Sequence, residues 1–278
     1  MATSEYAVEA HDDRVLPLTR AVSYAIVPFL LLAFAVLYPV PGDTDRLFAW
    51  RIASPLTAML LGSAYLGGAY FFLRAGRATA WHTIKGGFLP VGIFATLMGV
   101  ATILHWPLFH HRHPAFWLWT LLYFTTPLLI FAVWLRNRRH DRPPGPRDRL
   151  IPRRAARVAA AVGVLALATG AALFLFPAAA PAWWPWPLTP LTARVLGAIF
   201  CLGAAGIGAP FDRRWSSARL PVQVALIMLV SMLVAGLRAR AELDGSAWTW
   251  LFAGGFTGVT AALAVLYRRM SRPSGEPR

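Results

Sequence analysis

Seven stretches of about 20 apolar residues in this chain carry no Asp, Glu, Lys or Arg at all, and an eighth carries one. They cover 21–40, 55–73, 86–106, 115–135, 158–176, 190–211, 220–237 and 247–267; the exception is Arg194. A hydrocarbon core of ~30 Å is crossed by about 20 helical residues at 1.5 Å each. Inside lipid every backbone N–H and C=O must find its partner within the protein, which leaves helices or closed barrels. Unbroken apolar runs of this length fit helices. The expected fold is an all-α integral membrane protein with eight transmembrane helices. The first run is read as a retained span, because Glu5, Glu9, Asp12 and Asp13 precede it and a secretory leader starts short and basic.

Charge explains where the runs end. Only 14% of the residues are charged, and they cluster between runs. The formal net charge of +15 would point to nucleic acid in a soluble domain. Here the arginines flank membrane spans, so topology and anionic lipid account for them and no nucleic-acid partner is expected. With eight spans, 21 of the 27 Lys and Arg residues fall in the N-tail, the 74–85 loop, the 136–157 loop, the 212–219 loop and the C-tail. The positive-inside rule makes those segments cytoplasmic, with both termini on that side of a plasma membrane. Tryptophan is skewed the other way. Nine of twelve, among them Trp106, Trp184 and Trp186, lie towards the opposite boundary, where an indole suits the interface.

The runs repeat. Pro55, Leu56, Thr57, Ala58, Leu61 and Gly62 recur as Pro190, Leu191, Thr192, Ala193, Leu196 and Gly197. Leu-Pro-Val opens the third and seventh runs, and Phe124-Thr125 recurs as Phe256-Thr257. The expected organisation is two tandem parallel four-helix repeats, 21–135 and 158–268. A cytoplasmic N-tail (1–20), a basic linker (136–157) and a C-tail (269–278) complete the chain. An even number of spans per unit makes the repeat parallel, with its pseudo-twofold axis along the membrane normal. Ser54 and Thr189 are expected helix caps ahead of prolines at the first helical position. Gly62 and Gly197 are expected sites of close helix packing. Cys201 stands alone and is read as packing.

The segment Trp184-Pro185-Trp186-Pro187-Leu188-Thr189-Pro190-Leu191-Thr192-Ala193-Arg194-Val195-Leu196-Gly197 resembles one carried by a family of uncharacterised bacterial multi-pass membrane proteins. The resemblance covers mainly the second unit. It implies a multi-pass protein of the bacterial inner membrane and transfers no catalytic residue.

No Walker A, HExxH or GxSxG motif occurs, and no acidic residue lies inside a run. That weakens an ion-coupled transporter reading and gives no catalytic residue. Arg194, with Trp184 and Trp186 beside it in sequence, is the candidate contact for an anionic ligand or lipid headgroup. His105, His110, His111 and His113 are candidate metal ligands, since neutral imidazole binds Zn, Cu or haem iron. His82 and Lys85 read as interfacial anchors. No cofactor is specified. The leading expectation is a non-enzymatic carrier or binding protein for a small or lipophilic solute. The alternatives are an outer-face metal or haem protein, and a structural subunit of a membrane complex or homo-oligomer. Anionic headgroups are the expected partner of the 136–157 loop.

Overall fold

A computed structural model describes residues 12–145 and 148–272. Eight long helices cross the molecule: α1 (Pro17–Leu37), α2 (Pro55–Arg77), α3 (Lys85–Leu104), α4 (Pro114–Asn137), α5 (Arg153–Leu175), α6 (Pro190–Cys201), α7 (Trp215–Arg238) and α8 (Ala247–Ser271). All are long and apolar enough to span a membrane, α6 being continued by a 3₁₀ segment, Leu202–Gly208. Among the described residues there is no strand, only two isolated bridges.

Three helices start ahead of their apolar runs. α1 starts at Pro17, α5 at Arg153 and α7 at Trp215. A first turn can carry polar residues at the membrane surface without ending the helix, so hydropathy alone places these starts too late. Local chemistry sets other ends. The Ser54 hydroxyl accepts from Thr57 N–H at 3.1 Å, and Pro55 follows at the first helical position. Thr189 and Thr192 form a reciprocal capping box on α6. His113 caps α4 through Nδ1, which accepts from Ala115 N–H.

Four helices make the centre. α2 pairs with α7 and α3 with α6, and weaker contacts of α7 with α3 and of α6 with α2 close a ring. α1 packs on α2, α5 on α6, α4 on α3 and α8 on α7 from outside. Burial of the apolar windows is 78% for α2, 50% for α3 and α6 and 6% for α8, while α7 at 22% is no more buried than the outer helices α1, α4 and α5. α5 and α6 touch backbone to backbone. A Cβ at Gly197 would lie 2.6 Å from the Gly170 carbonyl, and one at Gly163 2.8 Å from the Gly203 carbonyl. The 3₁₀ segment keeps its backbone hydrogen bonds internal, as lipid requires.

Hydrogen bonds between loops define two ends. At one, the basic end, lie the approach to α1, the α2–α3 turn, the linker, the α6–α7 turn and the end of α8. Trp81 N–H donates to Asp13 O, Trp215 N–H to Arg149 O, and the Arg149 guanidinium to the carbonyls of Arg269 and Met270. At the other, the tryptophan-rich end, His110 N–H donates to Ala49 O and Asp244 N–H to Pro185 O.

Candidate functional site

Polar chemistry gathers at these two ends. At the tryptophan-rich end Arg194 lies one turn inside α6, half-buried. Its Nη1 donates to His105 Nε2 at 2.5 Å. To accept there, Nε2 must carry no proton, so this imidazole is neutral and compensates no charge. Arg194 Nε is buried without a partner, and no carboxylate pairs with the guanidinium among the described residues. This is a cation at membrane depth with donors to spare.

Trp184 and Trp186 are not at that guanidinium's hydrogen-bonding edge. They pack on each other and on Phe252 in a separate aromatic cluster. Trp186 Nε1 donates to Thr57 Oγ1 at 2.9 Å, tying the second half of the chain to α2, while Trp184 Nε1 has no partner. Glu242 makes the same tie more strongly. Its carboxylate accepts from Leu56 N–H at 2.9 Å and from the Ser54 hydroxyl at 2.5 Å. A carboxylate meets unpaired amides and the positive end of α2 there.

The four outer histidines have separate tasks. His105 accepts from Arg194, and His113 caps α4. His111 packs its ring on Trp106 and Phe116, with Nε2 buried and unpaired. His110 Nε2 lies 3.4 Å from Asp45. An open cleft of about 490 Å³ is lined by Asp45, His110, His111, Arg112 and His113. Among the described residues no three His, Cys, Asp or Glu side chains group to hold a metal ion.

The basic end is the more elaborate. Asp13 has φ 52, the one non-glycine residue with positive φ among those described. Its carboxylate accepts from His82 N–H at 2.9 Å and pairs with His82 Nδ1. His82 Nε2 lies 3.1 Å from Ser216 Oγ on α7. Next to this, Lys85 bridges Asp141 at 2.6 Å and Asp212 at 2.9 Å. Arg214, 1% exposed, grips Asp212 with Nε and Nη2 and donates from Nη1 to Arg142 O. Burial pushes the Asp212 carboxyl up, but hydrogen bonds from Arg214 and Lys85 outweigh it and hold the group well below the usual carboxylate range. Hydrogen bonds from Arg142 and from Gly145 N–H lower Asp148 to about 2.

His82 and Lys85 are pairing centres of the basic end. Their partners lie 69 and 56 residues away, and in His82's case also on a distant helix, so no local spacing announces them. Asp45 and Glu242 were missed for the same reason. In comparisons with known proteins the chain matches no family model, no curated protein and no solved structure.

Proposed function

We propose that the protein is a membrane-embedded binding protein, or carrier, for an amphiphilic anion, with its site at Arg194 and His105. One observation carries the reading: a guanidinium inside a span, bonded to a neutral imidazole, with a buried Nε that has no acceptor. A phosphate or carboxylate offers two oxygens to that planar fork and the missing negative charge. Ile103 and Leu104 beside His105 are exposed and apolar, a surface along which an acyl chain would lie.

The architecture is two tandem parallel four-helix repeats about a pseudo-twofold axis. Paired contacts support this. Trp81 to Asp13 has its counterpart in Trp215 to Arg149, and His110 to Ala49 in Asp244 to Pro185. The ring pairings α2–α7 and α6–α3 exchange under the same operation, as do α1–α2 and α5–α6. The basic end faces the cytoplasm of a bacterial inner membrane, both termini included, so Arg194 belongs to the outer leaflet.

Titrating dodecyl phosphate into the protein in a neutral detergent, followed by tryptophan fluorescence, tests the site. Saturable binding should weaken at least tenfold in Arg194→Met, and dodecanol should not saturate. Equal binding of the two amphiphiles, or of parent and variant, would refute it. Uptake into proteoliposomes then separates carrier from binder, and co-purification in mild detergent tests the role of complex subunit. A second reading, a metal at the outer histidines, has the Asp45–His110 pair in its favour. Isothermal titration of Zn and Cu(II), with His110→Ala/His111→Ala/His113→Ala as control, decides it; no heat from the parent ends it.

A further inference from the structure

Ser216, His82 and Asp13 stand in the order of a nucleophile, a base and a carboxylate that orients the base. With Nδ1–H donated to Asp13, the His82 lone pair at Nε2 faces the Ser216 hydroxyl at 3.1 Å. Asp13 also takes the His82 backbone N–H, so one carboxylate fixes both ring and main chain. His82 and Asp13 are buried, whereas Ser216 is only half-buried. Asp13 has φ 52, a backbone conformation that Asp adopts more readily than most non-glycine residues, and it brings the carboxylate to His82.

The surroundings of Ser216 suit an oxyanion. It is the second residue of α7, a 24-residue helix whose N-terminus is positive. Trp215 N–H is used by Arg149 O, and Ser217 and Ala218 N–H both turn to Arg214 O. Among the described residues the Ser216 N–H has no such partner. The nucleophile's own N–H, at the helix N-terminus, is thus an unused donor beside the reacting oxygen. The site lies where a spanning helix begins, at headgroup depth, and the exposed Arg219 follows one turn later.

We propose that this triad makes the basic end an acyl-ester hydrolase acting on carboxylic esters anchored in the bilayer, with an anionic group near Arg219. The proposal is independent of the Arg194 site at the opposite end. Ser216 Oγ attacks the ester carbonyl carbon as its proton passes to His82 Nε2. The tetrahedral intermediate collapses by breaking the bond to the leaving oxygen, which departs as an alcohol with the proton from His82. Water then attacks the acyl-serine and gives His82 a proton, which returns to Ser216 Oγ as the carboxylic acid leaves. Water is the only co-reactant, and no electrons are exchanged.

The test is covalent labelling of the full chain in neutral detergent with an alkyl fluorophosphonate, read by intact mass and by the labelled peptide. One adduct is expected, on Ser216, and none in Ser216→Ala. His82→Gln should slow labelling by about a thousandfold. Release of nitrophenol from p-nitrophenyl octanoate should follow the same order, and Asp13→Asn should shift its pH profile, as a positioning residue does. Ser216→Ala removes one hydrogen bond and should keep the parent's melting temperature, so loss of label there is not loss of fold. An unlabelled parent, an adduct on another residue, or equal rates in parent and His82→Gln would overturn the proposal.

Discussion

Asp148 carries the clearest pH signature. Arg142 and the Gly145 amide hold it at about 2 in the folded protein, whereas a free carboxyl titrates near ~4. A depressed folded value stabilises fully above the unfolded value and is lost as pH falls through the folded one. Thermal unfolding in neutral detergent should therefore show stability falling between about pH 4 and about 2. Arg142→Met should flatten that fall, since it returns Asp148 towards its ordinary range. An identical fall in the variant would mean other groups govern it. Glu242 makes a second residue-scale case. Its two bonds to the start of α2 are charge-assisted, so Glu242→Ala should cost about 1–3 kcal/mol, read as a lowered melting temperature. The Ser54 and Thr189 caps were legible because a cap acts three residues away. Glu242 was not, since it acts across 188 residues and nothing in its own neighbourhood marks it. A separation of 134 residues likewise hid Ser216 from His82.

Between elements, the glycines are not equivalent despite their matching places in the repeat. A Cβ at Gly197 meets the Gly170 backbone at 2.6 Å, and backbone cannot swing aside. At Gly62 the nearest atom is Tyr38 Cβ at 3.1 Å, a contact that a small helix shift relieves. Gly197→Ala should lower stability by about 2 kcal/mol or more, Gly62→Ala by clearly less, and Gly236→Ala, which has open space around it, by nothing measurable. Equal melting temperatures for all three would contradict the close α5–α6 contact. Runs of hydropathy located all eight spans because lipid selects composition over whole helices. They did not reveal that α6 tightens to 3₁₀ after Cys201, since glycine and alanine are equally apolar in either form. Nor do they say which helices form the ring. That depends on shape: glycines and alanines admit a neighbour, while bulky side chains on α8 remain outward.

For the whole molecule, the two functional proposals stand at opposite ends and so need the two ends in different compartments. The basic linker is only partly free to meet lipid. Arg142 pairs with Asp148 and Arg149 holds the end of α8, while Arg138, Arg139, Arg153, Arg154 and Arg157 are exposed. At roughly 1 kcal/mol per arginine near anionic headgroups, changing the five to Gln should abolish the preference of the solubilised protein for anionic over neutral vesicles. A preference left intact would assign it elsewhere. Sidedness itself is tested with single cysteines in a Cys201→Ala background, at Arg112 in the outer cleft and at Arg139 on the linker. In intact cells a membrane-impermeant maleimide should label Arg112→Cys at once and Arg139→Cys only after permeabilisation. Labelling of both without permeabilisation, or of neither, would contradict a bundle whose basic end is cytoplasmic and whose Arg194 site faces out.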